Sequence, residues 1–308
     1  MNAFFLDRLN SEPHALAFAG QSTPWPVALA DQSTNPVLDG ELHAHAAAAQ
    51  ALLYPVAADL LATTGRPVDL FGFEANPARL GDAASAAASV PGIALTQLGA
   101  LIDAAELGYN PAKAKPIAVL GHSQGVLAVH MVQAIEQAGS IVAATAQIDE
   151  ILAIATLIGV AGTRQARQLG LAARHGEATP MLSVKDITRA QVDALIARVS
   201  GVHGPIAVAV ANSATHYVLS GYPEDLAAFG VEVAKEHRRQ AKLREEKVRG
   251  GRVFDPVLEY LDVTLPFHSP LMAEAVSQTV SWAQSCGIDA DHARELAAEV
   301  LFNHVDWA

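Results

Sequence analysis

Gly121-His122-Ser123-Gln124-Gly125 fits the pattern G-x-S-x-G and lies between two apolar runs, "PIAVL" (116–120) and "VLAVHMV" (126–132). A short buried strand, a polar knot and an amphipathic helix make the strand–turn–helix of a nucleophile elbow. The glycines let the backbones of strand and helix approach closely around a strained turn. That turn presents Ser123 Oγ at the carboxyl edge of a sheet and aims the Gln124 backbone N–H at a developing oxyanion. The chemistry this predicts is attack by a serine hydroxyl on an acyl carbon. Only the backbone of Gln124 is needed for it, so almost any side chain could stand there. His122 points away from the serine in a standard turn and reads as structural.

A serine hydroxyl at its ordinary pKa needs a base. Of the twelve histidines, His268 stands out in "LPFHSPLM" (265–272), with Pro266 and Pro270 fixing the backbone on either side. Its local features also fit a satisfied core histidine, and both readings stay open at this point. His43 and His45, two apart in an Ala-rich helix, do not share a face, and His237 belongs to a charged stretch. No Cys/His/Asp/Glu cluster has zinc spacing, so no metal is expected.

Around these residues the chain provides a large apolar framework. Its 308 residues are 51% hydrophobic and 17% charged, with a net charge of −12, which supports a sizeable core and argues against a nucleic-acid partner. A single cysteine, Cys286, excludes an intramolecular disulfide and fits a reducing cytoplasm. "MNAFFLDRLNSEPHALAFAG" (1–20) has acidic residues before any apolar run and does not read as a signal peptide. The apolar stretch 141–162 carries Gln147, Asp149 and Glu150; it is too interrupted for a membrane span and reads as buried helix.

The pattern predicts a strand at 14–20, helix after Pro36, a helix starting near Pro91, the strand 116–120, the helix after the elbow and a further apolar helix over 148–162. From about 180 the order is β-α-β-β-α-β, the split-βαβ signature. The expected fold class is α/β, an α/β-hydrolase-like body (1–177 and 267–308) with an inserted ferredoxin-like subdomain (178–266). The stretch "KEHRRQAKLREEKVRGGR" (235–252) concentrates basic residues, either as a solvated helix end and loop or as a contact for an acidic partner.

Taken together, "ALAFAGQSTPW", "GHSQGVLAV", "LIGVAGTRQARQLG", "PMLSV", "ANSATHYVLSG", "KVRGGRVFDPV", "PFHSPLM" and "VDWA" resemble, in order and over nearly the whole chain, the acyltransferases of fatty acid synthases that act on acyl carrier protein. The sequence is similar above all to the acetyltransferase domain at the N-terminus of actinobacterial type I synthases. The resemblance implies Ser123 as acyl nucleophile, His268 as general base and acid, and Gln124 and Gln21 as the oxyanion donors. Ser22 replaces the second glycine of the usual G-Q-G-S. It also implies that a backbone carbonyl around Val300 to Asn303 orients the histidine, that Asn212 lies near the pocket, and that the synthase chain continues beyond "VDWA".

Malonyl-selecting relatives hold the malonate carboxylate with an arginine at a position that falls on Ile158 here. The nearest downstream arginine, Arg164, lies about 240° around a helix. Val126 stands where malonyl-type elbows carry Glu. The resemblance therefore implies an acetyl-loading transferase: acetyl-CoA as substrate, phosphopantetheine on acyl carrier protein as acceptor, the other synthase domains as partners, no resident cofactor, no membrane. The alternatives are a malonyl/palmitoyl transferase of the same synthase, or an α/β serine thioesterase or hydrolase.

Overall fold

The computed structural model describes residues 8–20, 24–71, 85–171, 178–199, 203–245 and 254–302. The chain divides into two compact units, Met1–Arg164 with Ala275–Val300, and Gln165–Glu274 with Leu301–Ala308.

In the first unit, β1 (Ala15–Phe18) pairs in parallel with β2 (Ala118–Gly121), with Ala15 opposite Ala118 and Phe18 opposite Gly121. The two strands therefore end level, and the loop after β1 leaves beside the elbow. The expectation of a buried strand at 116–120 is not met: Ile117 is 75% and Leu120 50% exposed. Among the described residues this sheet has two strands.

The helices carry the core. Asn35 caps Pro36–Leu52 by accepting from Val37 N–H, and Pro36 takes the first helical position, where its missing N–H costs nothing. The expected long helix breaks at a 3-10 turn, Tyr54–Val56, resumes as Ala57–Thr64 and ends at Gly65 in the left-handed region. The helix expected to begin near Pro91 begins at Ala86 and runs to Glu106 with Pro91 inside it. Helix start rules favour proline at the first position; here Ser85 opens the helix, its carbonyl accepting from both Ala88 and Ser89 N–H. Every residue from Ala86 to Gly99 is buried.

After the elbow, Val126–Ala138 buries Leu127, Ala128, Met131, Val132 and Ile135 at helical spacing, and Gly139 (φ 86°) closes it. Thr145–Gln168 follows. By length and composition this helix and Ala86–Glu106 could each cross a membrane, which corrects the expectation that the first is too interrupted. Burial within the protein covers 78% and 89% of their most apolar windows, respectively.

The second unit contains β3 (Met181–Lys185), helix Arg189–Ile196, β4 (Ala207–Ser213), β5 (His216–Ser220), helix Pro223–Glu245 and β6 (Val257–Tyr260). The sheet order is β4-β5-β3-β6, all antiparallel. This is the ferredoxin-like arrangement that the element order predicts. Both helices pack on one core with Leu182, Val184 and Leu219, contributing Val192, Leu226 and Phe229 among others. Thr188 and Gln191 form a reciprocal capping box on the first helix. The fold class is α/β with a small ferredoxin-like subdomain, as expected.

Candidate active site

Ser123 follows β2 after one residue, at the start of a 3-10 turn (Ser123–Gly125) that leads into Val126–Ala138. Its φ of 54° lies in the left-handed region, where a non-glycine residue is strained. Two flanking contacts hold the turn: His122 N–H donates to Phe18 O at 2.9 Å, and Gly125 N–H donates to His122 O at 3.0 Å. Both motif glycines are required by space. A Cβ on Gly121 would overlap Val126 N, and one on Gly125 would overlap Phe18 O. His122 serves through its backbone while the residue stays exposed. Ser123 is half-buried and Gln124 is buried.

The loop after β1 packs on this turn. A Cβ on Gly20 would lie 2.9 Å from Ser123 Cβ and 3.3 Å from Gln124 N. Gln97 Nε2 donates to Ala19 O at 2.6 Å and holds the loop where it leaves the strand. Sequence reasoning missed Gln97, although a glutamine within the apolar run "IALTQLGALI" (93–102) was a signal. Gln21 lies outside the described residues.

The Gln124 side chain corrects the expectation that almost any residue could stand there. The residue is 1% exposed, and its Nε2 donates to Ser89 O at 3.3 Å and Val90 O at 3.2 Å. These carbonyls immediately precede Pro91 and accept through a second lone pair. The elbow is thereby tied to helix Ala86–Glu106. Ile158 is wholly buried on helix Thr145–Gln168, in the same unit. Arg164 is directed elsewhere, its guanidinium 5.9 Å from the Trp282 ring centre.

His268 belongs to the second unit. It is 3% exposed, and its φ of 53° is again left-handed. The next residue fixes the local chain. Ser269 N–H donates to Leu301 O at 3.2 Å, and Ser269 Oγ accepts from Leu271 N–H to cap the 3-10 turn Pro270–Met272. Leu301 lies within the segment expected to supply an orienting carbonyl, and its carbonyl anchors the residue after the histidine. Asn212, also in the second unit, is exposed at the irregularity where β4 shifts register against β5.

Among the described residues, non-glycine residues with positive φ are Lys115, Ser123, Asp186 and His268. Two of them, Ser123 and His268, are the residues that the sequence singles out as candidate nucleophile and base. A Ser–His contact within the second unit lacks this strain: Ser183 Oγ is 3.1 Å from His216 Nε2 across β3 and β5. Burial, then the Lys185 charge, lowers the His216 pKa, and the pair reads as a cross-strand hydrogen bond.

The basic stretch begins on helix Pro223–Glu245. Lys235 pairs with Glu232 at 2.6 Å, and Arg239 pairs with Glu236 at 2.5 Å. Residues 246–252 lie outside the described residues. His130 meets in space Glu295 and Glu299, which lie four residues apart on helix Ala290–Leu301.

Residues 180–260 match the model of the fatty acid synthase central AT domain. The chain is similar to the crystal structure of MCAT from Mycobacterium tuberculosis at 20% identity and TM-score 0.60, covering 96% of this chain and 83% of that one. It is similar to malonyl CoA-acyl carrier protein transacylase from Coxiella burnetii at 17% identity and TM-score 0.60, covering 96% and 81% respectively. The corresponding enzyme from Clostridium perfringens gives 16% identity, TM-score 0.59, and coverage of 95% and 79%. The chain thus has the fold of these transacylases, an α/β body bearing a serine elbow and a ferredoxin-like subdomain that itself matches a synthase acyltransferase model.

Proposed function

We propose that the protein is an acyltransferase that moves an acyl group from coenzyme A to acyl carrier protein through an ester on Ser123. The observation that carries this reading is Ser123 itself, held at φ 54° in an elbow whose two glycines admit no side chain. His268, buried and strained, is the base. Ser123 Oγ attacks the thioester carbonyl as His268 takes its proton. The oxyanion is received by the backbone N–H of Gln124 and that of Gln21. The C–S bond then breaks, the thiol of coenzyme A leaves with the proton from His268, and the acyl ester remains. The phosphopantetheine thiol of the carrier protein enters, gives its proton to His268, and takes the acyl group by the reverse steps. Each oxyanion donor contributes on the order of 3 kcal/mol. The structure of a malonyl-transacylase in complex with its acyl-carrier protein, 16% identical to this chain with TM-score 0.55, supports that partner class.

The acyl group we propose is acetyl. Ile158 offers no charge at the position where the resemblance places a malonate-binding arginine, and a carboxylate buried against it would be unpaired at a cost of several kcal/mol. The enzyme would then load the primer of fatty acid synthesis, as the acetyltransferase domain of an actinobacterial type I synthase in the cytoplasm, alongside the other synthase domains. Malonyl is the second reading, favoured because the similar solved structures are malonyl transacylases by name. Initial rates of transfer to the holo carrier protein decide between them. Acetyl-CoA should exceed malonyl-CoA at least tenfold, and Ile158→Arg should raise the malonyl rate. Equal rates in the unmutated protein would refute acetyl selectivity and leave acyl transfer standing.

A further inference from the structure

Three helices of the first unit assemble groups that acyl transfer leaves unused. Helix Ala290–Leu301 carries His292, Glu295 and Glu299 at spacings of three and four residues, which places them on one face. His130 comes from the helix that follows the elbow, and its Nε2 lies 3.3 Å from Glu299 Oε2. One ligand atom from each of His130, Glu295 and Glu299 lies within 4.8 Å of the others. The His292 ring is 5.6 Å from that of His130, centre to centre. His292 Nδ1 is 3.3 Å from Glu150 Oε1, on helix Thr145–Gln168.

This geometry is close to what a metal needs. Zinc bound tetrahedrally at about 2.0–2.1 Å sets its ligand atoms about 3.3 Å apart. The His130–Glu299 pair already has that separation, and a Glu295 carboxylate oxygen lies within 4.8 Å of both. Two carboxylates offset the ion's charge. The His130 side chain is 14% and Glu299 33% exposed, so an ion has access from solvent.

We infer that His130, Glu295 and Glu299 bind a divalent first-row transition ion of zinc type, with water in the fourth position. Imidazole in the set selects against magnesium and calcium, which take oxygen ligands. The bound ion ties the elbow's helix to Ala290–Leu301 and so stabilises the unit, independently of which acyl group the enzyme uses.

The test is calorimetric titration of the chelator-treated full chain with zinc chloride, then magnesium chloride, with thermal unfolding in parallel. One saturable zinc site, a raised Tm and no magnesium binding are expected. His130→Ala and Glu299→Gln should each weaken zinc at least tenfold, and His43→Ala not at all. Glu299→Gln keeps the side-chain shape, so it serves if His130→Ala fails to fold. No saturable zinc binding, equal affinity for magnesium, or a zinc site that survives both substitutions would overturn the assignment.

Discussion

Gly20 lies directly against Ser123: a side-chain carbon there would come 2.9 Å from Ser123 Cβ and 2.5 Å from His122 O. Two chain segments about a hundred residues apart thus share one tight contact, made possible by the level ends of β1 and β2.

Gly20→Ala should therefore displace the elbow. Misplacement of reacting groups by about 1 Å can cost about 100-fold in rate. The expected outcome is a fall of that order in kcat with cooperative unfolding retained. Steady-state transfer rates and a denaturation curve on the same sample check it.

Gln124→Leu tests the tie to helix Ala86–Glu106. The backbone N–H survives this change, while two hydrogen bonds to Ser89 and Val90 carbonyls are lost. Stability should drop by about 1–3 kcal/mol, and kcat should fall far less than in Ser123→Ala. Urea unfolding and acyl transfer measured together separate the two effects.

The buried pair His45–Asp149, 2.5 Å apart and both 8% exposed, joins helices Pro36–Leu52 and Thr145–Gln168. Removing one partner leaves the other buried without compensation. His45→Leu should cost about 3–5 kcal/mol, and the double variant His45→Leu/Asp149→Leu should recover part of it. Denaturation midpoints of the three variants form the cycle that measures this.

Glu236 gives an acid-range prediction. Hydrogen bonding from Arg239 foremost, with Gln240 and Arg198, holds its carboxyl at about 2, against burial, which pushes it up. A carboxyl depressed in the folded state stabilises above its ordinary value and ceases to do so as pH falls through the folded one. Stability should decline as pH drops from about 4.5 toward 2, and Glu236→Gln should flatten that decline. Guanidinium unfolding across this range is the measurement.

Local patterns were the legible part. The elbow is encoded within ten residues, because glycine spacing and the switch from strand to helix periodicity are short-range features. The ferredoxin-like subdomain was legible because each element has its own turn chemistry. What failed was long-range or context-dependent. Pro91 reads as a helix start, yet Ser85 is the start. "PIAVL" reads as core, yet only tertiary neighbours can bury a strand. The Gln124 tie, the Gln97 clamp and the His130–Glu299 contact join residues 34 to 169 positions apart, which no periodicity reports.

An acyl ester on Ser123 is the most direct sign of the proposed transfer. The protein is incubated with acetyl-CoA, digested and examined by mass spectrometry, with and without a subsequent chase by holo acyl carrier protein. One acetyl group should appear on the peptide carrying Ser123, be lost on the chase, be absent in Ser123→Ala and form far more slowly in His268→Ala. An unmodified Ser123, or carrier acetylation that persists in Ser123→Ala, would contradict it.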